Sequence, residues 1–381
     1  MTAIQWDPDF CERQYNMRLS VKTYLEDFAR WEKNSFTAIQ KFPCHLDLQY
    51  GVKKTESFDF FPARNKASGK KPLIIFVHGG YWRSLDKSLY RFVANEIPDA
   101  GCHVALINYS LCPAVDIPTI VMEELNAIRY FYLEGKQFDV DPEQIYLVGH
   151  SAGGHLVTQA MCAIFNAYDS RLPNDIIKGG MTISGIYDLE PLSHASFVQN
   201  DLRLSAQTVE KVSPAYLPAN PHSRLITAVG SLESQEFIRQ NELIGSRWKK
   251  HLVANLVMPG KHHFNNVDDL MQTSKPLTKA LLKMIFNRSK YGNKKTNGYD
   301  SKKEAKRASE LQLLVRAGVI TDLKEQVKIE LQPSFKHNGK TERAIAYIAD
   351  FTYTQNGQEV VEDVKGFKTD VYKIKRKLLL Y

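Results

Sequence analysis

No segment of this 381-residue chain is apolar for the roughly 20 residues that a membrane helix needs; the longest apolar runs are the size of Pro72–Val77. Helical membrane spans are therefore excluded, and no membrane partner is expected. The first residues carry Asp7, Asp9 and Glu12 and lack the apolar core of a secretory signal. Cysteine is scarce. The five (Cys11, Cys44, Cys102, Cys112 and Cys162) are odd in number and form no Cys-x-x-Cys pair. That argues against a disulfide framework or a zinc site and for a reducing, cytoplasmic setting. Internal repeats are missing too. With 43% hydrophobic and 24% charged residues, wholesale disorder is excluded.

What the chain does have is an uneven charge. The net +8 is concentrated in residues 289–381, where 19 basic residues stand against 12 acidic ones; the first 288 hold 31 and 30. All five cysteines and all four tryptophans lie in the first part. The join, residues 289–298, is rich in Asn, Lys and Gly, which is linker chemistry. The expected organisation is a near-neutral domain over 1–288, the linker, and a basic domain over 299–381.

In the first domain short apolar runs alternate with helical spacing. Pro72–Val77, His103–Tyr109, Ile145–Val148, Met181–Ser184, Leu225–Val229 and Leu252–Val257 read as strands. Ser88–Ala100, Ile120–Leu133, Gly154–Phe165, Gln235–Trp248 and Asp268–Phe286 read as helices. This is the pattern of a doubly wound, mostly parallel α/β sheet. Tyr187–His222 breaks the rhythm, as lids and binding loops do.

Gly149-His-Ser151-Ala-Gly153 is a G-x-S-x-G between a strand and a helix, the setting of a nucleophile elbow. The bland reading, a serine that only caps the helix, does not explain the flanking strand and glycines together. His78-Gly79-Gly80-Tyr81-Trp82 follows the Pro72–Val77 strand. Amides of Gly79 and Gly80, with that of Ala152, are candidates for an oxyanion hole. Tyr81 and Trp82 are candidates for stacking on a substrate ring, or equally for packing. A base and an acid should follow at later strand ends, in the order acid then histidine. His262 and His263 compete for the first role; Glu233, Glu236 and Asp188 compete for the second.

Residues 1–288 resemble the α/β-hydrolase fold, in its kynurenine formamidase-like branch of esterases. The matching strings are His78-Gly-Gly-Tyr-Trp82, Gly149-His-Ser-Ala-Gly-Gly154, Glu233-Ser-Gln-Glu-Phe237 and His263-Phe264. The resemblance implies a Ser151–Glu233–His263 triad, with Glu where the family usually has Asp. It implies a hydrolase of small aryl N-formyl amides or short carboxylic esters that needs no cofactor. The rival class is a hydrolase-fold binding protein without chemistry.

The second domain shows a helix to about Arg316 ended by Gly318, strands at Val327–Leu331, Ala344–Tyr353 and Glu359–Val364, and a turn at Asn356-Gly357. A helix follows at Val371–Leu380, with Lys373, Lys375, Arg376 and Lys377. Asp350, Asp363 and Lys365, with Glu304 from the first helix, form a candidate set for Mg²⁺ or Mn²⁺ and phosphodiester cleavage. The strings Tyr299-Asp-Ser-Lys-Lys-Glu-Ala305, Tyr347-Ile-Ala-Asp-Phe351 and Val361-Glu-Asp-Val-Lys-Gly366 resemble a phage-borne PD-(D/E)XK nuclease family related to junction resolvases. That resemblance implies a small α+β, restriction-endonuclease-like module with nucleic acid as partner. The usual core has one more strand after its last helix, so a truncated module, or a fusion with an inert tail, is the competing expectation.

Overall fold

The computed structural model describes residues 6–65, 69–286, 302–337, 340–364 and 377–378. The chain divides into two compact units, Met1–Phe286 and Asn287–Tyr381. Residues 287–301, including the predicted linker, lie outside the described residues.

The first unit is built on one sheet of β1 (His45–Gln49), β2 (Ser57–Phe61), β3 (Lys71–Val77), β4 (His103–Ile107), β5 (Val140–His150), β6 (Ile177–Ile183), β7 (Leu225–Gly230) and β8 (Leu252–Met258). Their order across the sheet is β1-β2-β4-β3-β5-β6-β7-β8. Only β2 runs antiparallel to its neighbours. The central strands β3, β4 and β6 are buried or nearly so along their whole length, as helices on both faces demand. The expected doubly wound α/β class is the observed one.

The helices before the switch in strand order are α1 (Pro8–Tyr15), α2 (Met17–Ser20), α3 (Tyr24–Lys41) and α4 (Ile117–Glu134). After β5 come α5 (Ala152–Cys162) and α6 (Phe165–Tyr168). The irregular stretch after β6 resolves into α7 (Glu190–Ser193), α8 (Ser196–Leu202) and α9 (Ala206–Lys211), all short. Then α10 (Gln235–Arg247) and α11 (Pro276–Phe286) close the unit. Two predicted helices differ. Ser88–Ala100 is two 3₁₀ segments, Lys87–Ala94 and Ile97–Ala100, because Pro98 sits where a continuous helix would need its N–H. Asp268–Phe286 is a short 3₁₀ turn, Val267–Met271, and then α11, which Pro276 opens.

The topology fixes where chemistry can occur. β4 and β5 flank β3 on opposite sides, so the chain leaves β3 and β5 at a reversal of strand order. Val77 at the end of β3 pairs with Gly149 near the end of β5. The His78–Trp82 turn and Ser151 therefore emerge side by side.

In the second unit α12 (Lys302–Arg316) lies against β9 (Thr321–Gln332), β12 (Ile345–Gln355) and β13 (Gln358–Glu362), ordered β13-β12-β9, while β10 (Phe335–His337) and β11 (Lys340–Glu342) form a separate small hairpin. Ala308 and Leu311 of α12 bury against Ile320, Phe351 and Tyr353. Arg307 grips Glu362 at both carboxylate oxygens, 2.6 and 3.0 Å, and ties the helix to β13. The Asn356-Gly357 turn has positive φ at both positions, as a two-residue hairpin requires.

Candidate active site

Ser151 sits between β5 and α5 with φ 55° and ψ −120°, a conformation that costs of order 1–3 kcal/mol and is held by its surroundings. A Cβ on Gly153 would stand 2.0 Å from the Val77 carbonyl oxygen, so this position of the pentapeptide must be glycine for β3 and α5 to approach. The result lifts the hydroxyl to the N-terminus of α5.

The side chains then connect in series. His263 Nε2 lies 3.0 Å from Ser151 Oγ. Its Nδ1–H donates to Glu233 Oε2 at 2.7 Å. The other oxygen, Oε1, accepts from the Gly230 amide at 2.7 Å, Ser184 Oγ at 2.6 Å and Asn266 Nδ2 at 2.9 Å. His263 and Glu233 side chains are 2% and 0% exposed, so bulk water does not compete for these bonds. Because Nδ1 is the donor to a carboxylate, Nε2 is left as acceptor for the serine proton.

The competing candidates are used elsewhere. Asp188 accepts from Arg239, from Tyr216 and from the Glu190 amide. Glu236 accepts from Tyr15 at 2.8 Å and from Arg239 at 2.9 Å. His262 stands 3.8 Å from Asp27. Among the described residues none of the three is hydrogen-bonded to Ser151 or His263.

The turn after β3 bends through positive φ at Gly80, Tyr81 and Trp82. A Cβ at Gly80 would come 2.0 Å from the Ser84 carbonyl oxygen. Gly80 lines a cavity that Ser151 and His263 share. Ala152 opens α5, so its N–H has no acceptor within the helix. Gly79 packs directly on the elbow: a Cβ there would stand 2.9 Å from the His150 carbonyl oxygen and 3.1 Å from Ser151 Cβ. Tyr81 lines the cavity, edge-on to Phe197 at 5.0 Å. Trp82 does not, which corrects the expectation of a stacking platform. It is fully buried, and its Nε1–H donates to His155 Nδ1 at 3.2 Å, anchoring the turn to α5.

The cavity holds about 290 Å³. Aromatic rings of Tyr24, Phe28, Tyr81, Tyr90, Phe197 and Phe264 wall it, with Arg18 and Arg83 at its polar positions. At that size it takes one ring and a short side chain, near the low end of small-molecule sites.

Residues 59–214 match the family model described as BD-FAE. Over 255 residues the chain is 30% identical to a kynurenine formamidase of Danio rerio, covering 63% of this chain and 81% of that protein. Through its first unit, the chain belongs to the kynurenine formamidase family. A solved Silicibacter protein, provisionally designated a thioesterase, is 28% identical with a TM-score of 0.60 over 70% of this chain and 96% of that one. An esterase of Pyrobaculum calidifontis, at 15% identity and TM-score 0.54, covers 67% of this chain and 90% of its own length and shares the fold. The first unit is thus an α/β-hydrolase of the esterase type. Residues 288–381 match a model described as a protein of unknown function, DUF1064.

Several residues of this kynurenine formamidase-family site were not foreseen. Ser184 and Asn266 fix the Glu233 carboxylate, yet a lone Ser or Asn carries no sequence signal. His150, next to the nucleophile, donates Nε2–H to the His263 carbonyl at 2.8 Å and lies 3.3 Å from the Tyr90 hydroxyl through Nδ1. Burial, and then His263, push its pKa down to about 3, so it stays a neutral brace. The whole arm from Asn16 to Phe28 was missed as cavity wall.

The nuclease-like set is only partly placed. Asp350 accepts from the Val364 amide at 2.8 Å, and Tyr347 bonds Asp363; Tyr347 and Asp350 face opposite sides of β12, so these bonds do not bring the two carboxylates together. Asp363 lies just past β13 rather than within it, because pairing with β12 ends at Glu362. The Glu304 side chain and Lys365, Lys373, Lys375 and Arg376 lie outside the described residues. Among the described residues no group of three or more His, Cys, Asp or Glu is arranged to hold a metal. No helix among them is long and apolar enough to cross a membrane.

Proposed function

We propose that the first unit is a serine hydrolase of small aryl N-formyl amides, with short carboxylic esters as the second substrate class. The hydrogen-bonded series Ser151–His263–Glu233, opening into an aromatic cavity, carries this reading. Ser151 Oγ attacks the carbonyl carbon while His263 Nε2 takes its proton, giving a tetrahedral oxyanion and an imidazolium. Glu233 stabilises that imidazolium. The amides of Gly79, Gly80 and Ala152 receive the oxyanion, aided by the α5 dipole. His263 then protonates the departing arylamine or alcohol, and water attacks the formyl- or acyl-enzyme by the same route in reverse. The similarity to fish kynurenine formamidases favours N-formylkynurenine over a simple ester. Measured kcat/KM should be higher on N-formylkynurenine than on phenyl acetate; a ratio far below one would assign the site to esters.

For the second unit we infer a weak, salt-sensitive affinity for nucleic acid, supported by its net +7. Asp350 and Asp363 would hold Mg²⁺ or Mn²⁺, which would polarise a phosphodiester, with Glu304 and Lys365 assisting its cleavage. Incubating the full chain with duplex and branched DNA, with Mg²⁺ or EDTA, tests both claims. Metal-dependent nicking lost in Asp363→Ala supports cleavage. Absence of any salt-sensitive binding would reduce the unit to an inert appendage.

A further inference from the structure

Two arginines line the cavity of Ser151, and no Asp or Glu lines it with them. Arg83 is already neutralised by Asp201. Arg18 is not: among the described residues it has no carboxylate partner. Its guanidinium carbon lies 5.8 Å from the Phe28 ring centroid and 6.0 Å from that of Tyr24, both walls of the same cavity.

The arm that carries Arg18 is fastened to the body on both sides. Tyr15 donates to Glu236 at 2.8 Å, and Ser234 donates to the Gln14 carbonyl at 2.6 Å. The Glu12 carboxylate accepts from Ser196 Oγ at 2.8 Å and the Phe197 amide at 3.0 Å. Met17, beside Arg18, is 2% exposed. The backbone that carries Arg18 is therefore held at the cavity wall, while its side chain is exposed and reaches the cavity along the Tyr24 and Phe28 rings. A guanidinium lying on aromatic faces keeps its edge N–H groups free, and that edge matches a carboxylate bidentately.

We propose that Arg18 is a carboxylate subsite, so that the preferred substrates carry an anionic carboxylate on the aryl portion, away from the carbonyl that Ser151 attacks. This rests on the reading of Ser151 as the nucleophile and narrows its substrate class. The uncharged aryl substrate is the poorer one. Because Arg18 is exposed to solvent, the preference is moderate and falls as salt is raised.

The test uses the full chain and three esters of one shape: phenyl acetate, 3-acetoxybenzoate and 3-acetoxy-N,N,N-trimethylanilinium. Each ester's intrinsic reactivity is the same for every variant, so comparing variants isolates the charge. In Arg18→Gln the ratio of kcat/KM for the anionic over the neutral ester should fall by about tenfold. The ratio for the cationic ester should rise, and Arg18→Lys should restore part of the anionic preference. Raising ionic strength should shrink the wild-type ratio toward that of Arg18→Gln. An anionic-to-neutral ratio untouched by Arg18→Gln overturns the subsite. If wild-type protein hydrolyses none of the esters, the nucleophile reading fails instead. Calorimetry of benzoate against benzamide binding then reads the subsite without chemistry: loss of benzoate preference in Arg18→Gln sustains it, and equal affinity in wild type overturns it.

Discussion

Ser151→Ala is expected to lower ester and formamide turnover by roughly 10⁴- to 10⁶-fold in kcat while leaving the melting temperature nearly unchanged. The two halves of that expectation have separate causes. The hydroxyl stands on the cavity wall with a base in hydrogen-bond reach, His263 Nε2 at 3.0 Å, which a carboxylate orients in turn. Removing the hydroxyl leaves the Gly79, Gly80 and Ala152 amides and the cavity, which still bind a carbonyl but supply no covalent route. Stability should hold because among the described residues Ser151 Oγ bonds His263 alone, so alanine strands only one histidine nitrogen. The strained backbone, with φ at 55°, is common to both residues. Stoichiometric labelling by a fluorophosphonate should vanish in the same variant. Turnover and labelling that survive in a folded Ser151→Ala protein would remove Ser151 from the mechanism. A wild-type protein that is never labelled would support the binding-module class instead.

What the sequence made readable depends on how local each signal is. The strand ends are local: an apolar run of five to seven residues followed by glycines or polar residues announces itself, as at Pro72–Val77 and Ile145–Val148. Ser151, His263 and the three acid candidates each follow such an end, which is why they could be named. Choosing among Asp188, Glu233 and Glu236 was not local. Asp188 and Glu236 are occupied by Arg239, and Tyr15, 221 residues before Glu236 in the chain, completes that arrangement. The same long-range bond brings α1 and α2 to the cavity, so the Arg18 wall had no sequence signature. Trp82 shows the converse limit. Adjacency to the oxyanion turn was legible, but its side chain points to His155, a partner 73 residues away. Segment type was misread where proline intervened, at Pro98 and Pro276, since a helical spacing of apolar residues also suits 3₁₀ turns.

Glu233→Gln should cost about 10⁴-fold in kcat, although it changes one atom and no volume. The surroundings of the carboxylate give the reason. Three donors, the Gly230 amide, Ser184 Oγ and Asn266 Nδ2, converge on Oε1 within 2.9 Å. A glutamine must turn its carbonyl oxygen toward them, because an NH₂ group there would face three donors in a water-free site. Its NH₂ then faces His263 Nδ1. That nitrogen becomes the acceptor, the ring proton moves to Nε2, and Nε2–H points at Ser151 Oγ. The base is lost through the wrong tautomer while the ring stays in place. KM should change little, since Glu233 is absent from the cavity wall and acts through His263. Asp188→Asn is the matched control: it weakens the contact with Arg239 and should lower stability before activity, with kcat within a few-fold of wild type. Near-full activity in Glu233→Gln combined with a collapse in Asp188→Asn would transfer the acid's role to Asp188. Near-full activity in both would mean that His263 holds its tautomer without a carboxylate.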